Sequence, residues 1–472
     1  MKRYRLHIWP VWLLLGMMFL AACQSDALPG ENTGSGQHIT AHNDSCYINL
    51  RIVNSNAAMT RATEAAMAAE NAVYDGILCI FEGADESSAT LKTATVIDQL
   101  INNPGNSASV EITQRLATGT HAYGTNLYVL ALLNTTSTGF RVSGNDLLFD
   151  DSSQKNKTIS QIQDLVIHSV GSIDKHVGLF MSNAPQAGFI MPEVTNDYLF
   201  DTPSAADSGS KLIINVERAA ARVKVTNTAT TVSTINLDGV DGRHPIVHRI
   251  TWALHNYNTQ SYAIRNGYTA AQNWATSITG AGIPIAFDTT APDIFDLYKQ
   301  QSYIDGDVVY IAENTTTDKE TEVIVEVQLK EGSFLLGDCY KYDFGGNLRF
   351  FTSTAQFIQF CKDGWASEFA QYHTGLTSKS AEEIFKYPSF VINNNGTVTL
   401  TLTNESFTDT EKTALSNLSG ILSGTLRGYR NGKMYYTYKI KHSGTQYGVV
   451  RNNAYNLTLQ NSSISGIGRP TP

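Results

Sequence analysis

Apolar residues along this chain recur mainly at every second position, and only in short stretches at helical spacing. Cys46, Ile48, Leu50 and Ile52 alternate with Tyr47, Asn49, Arg51 and Val53, the signature of a strand with one face buried. Ile77 to Phe81 and Leu127 to Leu133 are uninterrupted apolar runs, of the length expected for core strands covered on both faces. Val323, Val325, Val327 and Leu329 alternate, as do Val398, Leu400 and Leu402 after the turn pair Asn395-Gly396. Met434, Tyr436, Tyr438 and Ile440 form a further strand, and Tyr455, Leu457 and Leu459 the last. Short helices are expected within Ser153 to Leu165, Thr354 to Cys361 and Ser380 to Phe385, and over the Ala-rich stretch Ala62 to Asn71. From about Gly332 to Tyr387 strand character is weakest, which predicts an insertion carrying surface loops.

Many short strands with few long amphipathic helices predict an all-β fold class with short helical inserts, of the β-sandwich kind. With 472 residues the chain has room for two such sandwiches. No internal repeat of about 20–50 residues is present, which excludes propellers and solenoids. Composition adds one exclusion. The balance of 34 Lys+Arg against 43 Asp+Glu leaves a net charge of -9, with no basic cluster beyond the first residues; a nucleic-acid partner, which needs a basic face to neutralise phosphates, is not expected.

The first residues carry their own signal. Lys2, Arg3 and Arg5 precede an apolar run from Ile8 to Ala22, shorter than the roughly 20 residues of a membrane span and of the form of an export signal. The run closes on Leu20-Ala21-Ala22-Cys23, which resembles the lipobox of bacterial lipoproteins. That resemblance implies cleavage before Cys23 and a diacylglyceryl anchor on its sulfur, so that the protein is held on a membrane and not embedded in one. Residues 24–44, rich in Gly, Ser, Asn and acidic side chains, read as a flexible tether.

Candidate chemistry is sparse. The remaining cysteines, Cys46, Cys79, Cys339 and Cys361, show no CxxC or zinc-type grouping. Cys46 and Cys79 read as buried thiols, and Cys339 with Cys361 as a pair able to bridge a long loop. No nucleophile elbow, phosphate loop, dinucleotide fingerprint, HExxH or EF-hand pattern occurs. His244 and His248 flank Pro245 and do not share a helical face; Asp305-Gly306-Asp307 reads as a turn and Asp150-Asp151 as a solvated pair. No catalytic residue, metal or cofactor is expected. Trp365, Phe369, Tyr372 and His373 are the one aromatic grouping that hints at a glycan surface, with core packing the commoner explanation.

One segment suggests processing. Ala58-Met59-Thr60-Arg61-Ala62-Thr63-Glu64-Ala65 places a single arginine between the first strand and an Ala-rich stretch, where an Arg-specific protease would reach the backbone. On spacing alone the ordinary reading, a solvated loop arginine, is the stronger. A cut there would remove the strand Cys46 to Val53 and leave a groove with two unpaired edges that a strand from another molecule can fill.

Taken together these segments resemble the FimA-like and short-fimbria fimbrillins of the Bacteroidales, the type V pilins. The likeness runs through the lipobox at Cys23, the Thr60-Arg61-Ala62 junction, Asn71 to Phe81, Leu127 to Asn134, Val216 to Val223, Ile250-Thr251-Trp252 with Asn256, and Tyr310 to Thr315. It is most specific near the C-terminus, in Gly432 to Tyr436 through His442, Tyr447-Gly448-Val449-Val450-Arg451-Asn452-Asn453 with Tyr455, and Ile464-Ser465-Gly466-Ile467-Gly468.

The resemblance implies two transthyretin-like β-sandwich domains, export as a lipoprotein, cleavage at Arg61-Ala62 by an Arg-specific surface protease, and donor-strand assembly into fimbriae. The implied organisation is a signal peptide over 1–22, a lipidated propeptide over 23–61, and sandwiches over 62–220 and 221–472, the second interrupted at about 332–390. Cys46, Ile48, Leu50 and Ile52 would plug the groove until cleavage. Tyr436, Gly448, Val449, Val450, Arg451, Asn452 and Tyr455 are the C-terminal motif. Implied partners are other fimbrial subunits, the protease, the lipid anchor on the precursor, and a host or bacterial surface receptor; the precursor would sit on the outer membrane and the mature protein in an extracellular fimbrium. Where shaft subunits of this family continue past the Gly-x-Gly element, this sequence ends at Gly468-Arg469-Pro470-Thr471-Pro472, which leans the expectation toward a tip or accessory position over the shaft. A non-polymerising surface lipoprotein that binds glycan or protein is the alternative.

Overall fold

The computed structural model describes residues 46–54, 68–97, 109–116, 126–173, 177–186, 188–267, 294–344 and 347–472. All of them lie in one compact unit, 41–472, and the protein is all-β with short helices.

The first sheet uses the strands β1 (Cys46–Asn54), β2 (Gly76–Gly83), β3 (Thr90–Val96), β4 (Ser109–Leu116), β5 (Asn126–Leu133), β6 (Met181–Asn183), β7 (Glu193–Val194), β8 (Leu199–Phe200) and β9 (Leu212–Arg218). Its spatial order is β8-β1-β9-β6-β5-β2-β3, with β4 on the other edge of β1 and β7 against β5. Strands β2 and β5 are the two uninterrupted apolar runs, and both are buried on both faces. They line a core that Phe140, Phe149, Ile162 and Phe180 complete. Two short helices belong here. In α1 (Ile159–Gln163), Thr158 and Gln161 form a capping box; in α2 (Pro203–Ser208), Thr202 caps the start and Pro203 takes the first position.

The chain leaves this sheet at Arg218 and enters a second at once. Strand β10 (Ala220–Asn227) lies between β12 (Val308–Ala312) and the last strand of the chain. Strand β11 (Ile246–His255) pairs antiparallel with β13 (Glu322–Glu331). Val323, Val325, Val327 and Leu329 face a second core with Trp252. The opposite face of β13 is covered as well, because Tyr298 of α3 (Ile294–Gln301) packs on Ile324, Ala253 and Tyr435.

Strands β14 (Cys339–Phe344), β15 (Asn347–Phe351), β16 (Tyr387–Ile392) and β17 (Val398–Thr403) follow, with helices α4 (Thr354–Asp363) and α5 (Ala381–Ile384). Next come α6 (Asp409–Thr425) and β18 (Leu426–Tyr429). These elements enclose a third apolar core built on Phe357, Phe369, Leu400, Leu415 and Leu422. The stretch expected to carry surface loops therefore contributes strands and helices around a core of its own. Strand β19 (Lys433–Lys439) then pairs with β13, and β20 (Ala454–Leu459) lies parallel to β10.

Two questions that the sequence leaves open in the third region are answered, the aromatic one in favour of core packing. Cys339 and Cys361 are free, buried thiols packed in different cores, Cys339 beside Tyr429 and Cys361 beside Phe369. Trp365 and Phe369 are buried in the third core and offer no stacking face, since the Trp365 ring stacks on His373 at 4.1 Å. Among the described residues, no helix is long and apolar enough to cross a membrane.

Candidate assembly groove and the buried arginine junction

Strand β1 lies inside its sheet. One edge runs antiparallel to β4, from Cys46 opposite Leu116 to Val53 opposite Ser109. The other edge meets β8 antiparallel at Tyr47 and Ile48, then β9 in parallel from Leu50 opposite Leu212 to Asn54 opposite Val216. Period-two geometry sends alternate side chains to opposite faces, and the even positions are the buried ones: Ile48 and Leu50 are 0% exposed and Ile52 3%. On the odd face Asn49 is also buried, its Nδ2 donating to the Ala206 carbonyl of α2 at 2.6 Å, while Arg51 reaches solvent with Glu111 3.9 Å away.

Burying three large aliphatic side chains stabilises the strand by roughly 5–9 kcal/mol, an upper figure because an unfolded chain already hides some of that surface. Its backbone ladders on both edges add to this. The covalent path from the strand to the residues that follow runs through 55–67, the next described residue being Ala68. Arg61 and Ala62 fall in that link; these two, Cys23 and the side chain of Cys46 lie outside the described residues.

Just past the link the chain is anchored. Glu70, buried in a short 3-10 turn (Ala68–Asn71), accepts hydrogen bonds from Tyr310 Oη at 2.8 Å, Arg222 Nη1 at 3.2 Å and Arg218 Nη1 at 3.4 Å. Arg218 ends β9 and Arg222 lies early in β10, so the crossing between the two sheets carries both guanidinium groups inward. Burial pulls the Arg218 guanidinium below its ordinary pKa, opposed by the Glu70 carboxylate. Burial also pushes the Tyr310 hydroxyl up, reinforced by its bond to Glu70.

The C-terminal motif meets the same junction. Arg451 is 0% exposed, with Nε and Nη2 donating to Glu313 Oε1 at 3.0 and 2.7 Å, and Nη2 also to Ser261 Oγ and the Tyr262 carbonyl at 2.8 and 2.6 Å. Asn452 Oδ1 accepts from Arg218 Nε at 3.1 Å. Arg265 forks onto Glu217 at 2.8 and 2.6 Å, the bidentate geometry a guanidinium allows. Tyr455 Oη accepts from the Val450 amide at 2.9 Å and sits 2.7 Å from His442 Nδ1. Val449 is buried and bridges Asn314, and Gly448, at φ +135, takes a backbone conformation that side chains resist. Tyr436 stands apart from this junction, on β19. Tyr438 and Tyr436 on β19, with Tyr429 at the end of β18, donate to the carbonyls of Ser463, Gly466 and Gly468 at 2.7, 3.1 and 2.9 Å, strapping the C-terminal segment over the second core.

Sequence reasoning missed Glu70, Glu217, Arg265 and Glu313 as a set. The readable signal was charge inside apolar runs, in VERAAARV and YIAEN, since an ionised group buried among apolar neighbours needs a partner. The other candidates do local work. Asp305 and Asp307 accept from the Asn227 and Ile304 amides at 2.8 and 2.9 Å, Asp150 pairs with His168, and His244 bonds the Ile235 carbonyl. Among the described residues no group of His, Cys, Asp and Glu could hold a metal.

No family model matches the sequence, and no curated protein matches it. Solved structures do. A candidate cell adhesion protein from Parabacteroides distasonis is similar at 14% identity and a TM-score of 0.36, over 61% of this chain and 76% of that one. A fimbrial assembly protein from the same organism is similar at 12% identity and 0.33, over 62% and 83%. A candidate cell adhesion protein from Bacteroides eggerthii follows at 12% identity and 0.32, over 62% and 78%.

Proposed function

We propose that this chain is a structural subunit of cell-surface fimbriae, made as a lipoprotein precursor, matured by Arg-specific proteolysis and assembled by donor-strand exchange. The observation that carries the reading is the placement of β1: a first strand with both edges paired and Ile48, Leu50 and Ile52 buried, joined covalently to the residues that follow through the link that contains Arg61-Ala62. A cut in that link turns β1 into a separate peptide. Its departure exposes an apolar groove and strips β4 of its ladder, so a strand of the same period arriving from another subunit regains both sets of backbone bonds.

In this reading Cys23 carries the lipid that delivers the precursor to the outer membrane, and cleavage detaches the mature protein, beginning at Ala62, from that anchor. Glu70 keeps the new N-terminal segment bound at the arginine junction. The protein is not an enzyme; its partners are neighbouring subunits and a surface receptor.

The test is to treat residues 24–472 with an Arg-specific protease, sequence the new N-terminus and look for SDS-resistant ladders. A start at Ala62 with ladders supports a self-polymerising shaft subunit. The same cut without ladders, but with incorporation into a growing shaft, supports the tip or accessory position. Resistance of Arg61-Ala62 in the folded protein overturns the reading in favour of a static surface-binding lipoprotein.

A further inference from the structure

Two cavities open side by side on β15, of about 440 and 470 Å³, within the size range of small-molecule sites. Arg349 lines both. Its guanidinium lies over the Phe360 ring, 4.7 Å from the centroid, and is 38% exposed. The nearest carboxylate is Glu368 at 3.7 Å, and among the described residues the guanidinium makes no hydrogen bond. Stacking fixes the plane of the fork, with Nη2 3.7 Å from Glu368 Oε1 and Nη1 beside Gly239, and leaves the partly exposed N–H donors available to a ligand.

The walls decide what would fit. Glu368 and Asp363 line the first cavity and Asp241 the second, while Asp238 is already neutralised by Arg243 at 2.8 Å. Carboxylates on the rim repel an anion, and the guanidinium at the centre repels a cation. A neutral ligand whose every polar group both donates and accepts satisfies both sets of walls, and a hydroxyl does this. Leu348, exposed beside the second cavity, supplies apolar surface for a C–H face.

We propose that the trough astride Arg349 binds a neutral pyranose at the end of a glycan, its hydroxyls accepting from Arg349 and donating to Glu368 and Asp363. The site lies between the second and third cores, remote in sequence from β1, so it goes beyond the assembly reading and its test does not depend on polymerisation.

The experiment is saturation-transfer NMR on the full chain with methyl β-galactopyranoside, methyl α-mannopyranoside and N-acetylglucosamine, beside free galactose, and with N-acetylneuraminic acid and glucosamine as charged probes. Transfer to a neutral methyl glycoside is expected, weakened about tenfold or more by Arg349→Ala. Arg349→Lys, which keeps charge but loses the fork, and Glu368→Gln should weaken it too, with thermal unfolding of each variant as the check on folding. Silence of every neutral sugar in the unmodified protein overturns the proposal. So does preference for a charged probe, binding of free galactose alone with the methyl glycosides silent, or transfer indifferent to all three substitutions.

Discussion

Leu50→Ala is the substitution that most directly probes β1 as a removable strand. Leu50 is 0% exposed at the middle of the strand, with β4 on one side at Ile112 and β9 on the other at Leu212. Truncating such a leucine costs about 2–5 kcal/mol, set by how far the site collapses. In the uncut chain that loss appears as reduced stability. After cleavage in the 55–67 link β1 is held without a covalent bond, and the same energy falls on its release. At about 1.4 kcal/mol per tenfold, the bound strand should weaken by about 30-fold to 4,000-fold. The assay cuts the protein with an Arg-specific protease, dilutes it, and follows the freed peptide by size-exclusion chromatography and mass spectrometry. Arg51→Ala is the control on the same strand, since its 3.9 Å approach to Glu111 at the surface is worth less than about 1 kcal/mol. Equal release in Leu50→Ala, Arg51→Ala and the unmodified protein would refute the idea that the even face of β1 holds the plug in place.

The arginine junction makes a second prediction: Arg451→Met strands the Glu313 carboxylate in the interior and should cost about 3–5 kcal/mol, while Arg451→Met with Glu313→Gln recovers much of it, read from urea midpoints in a double-mutant cycle. If the double variant loses the sum of what Arg451→Met and Glu313→Gln lose singly, the pair is not coupled. A third concerns the open edge of β17, whose Leu400 and Leu402 amides donate to Ser423 and Ser419 of α6 at 2.9 and 3.0 Å. Ser419→Ala with Ser423→Ala should cost about 1–3 kcal/mol per orphaned amide and promote association through that edge, seen by light scattering; a monodisperse, equally stable variant would count against it. The fourth is alkaline destabilisation. Burial pushes the Tyr436 and Tyr340 hydroxyls up to about 12, whereas the unfolded side chain ionises near pH 10. Between about pH 10 and 12 the unfolded state binds fewer protons, so stability present below pH 10 falls as pH rises. Urea midpoints measured alongside tyrosinate absorbance should drop across that window, and a flat profile would contradict the burial of these rings.

Period-two alternation is a local property, and the strands it predicts at Cys46 to Val53, Val323 to Leu329, Val398 to Leu402 and Met434 to Ile440 are all present, the last ending one residue early at Lys439. The apolar runs at Ile77 and Leu127 likewise became doubly covered strands. Helix α6 escaped the reading because its three serines and two glycines dilute the helical signal. Its capping box at Thr408 and Glu411 and its buried Leu415, Leu418 and Leu422 were the readable cues.

The sequence by itself thus determined the all-β class and the strand that ends just before the link holding Arg61, because alternation and turn residues act over a few neighbours. Only the tertiary structure decided which strands flank β1, since parallel pairing with β9 spans some 160 residues and leaves no local trace. It also decided that Cys339 and Cys361 enter different cores, that Glu70 meets Arg218 and Arg222, and that Arg451 meets Glu313. A buried charge is tolerable only where partners from distant segments reach it, and that meeting is made by the packing of the sheets, not by the pattern of any one of them.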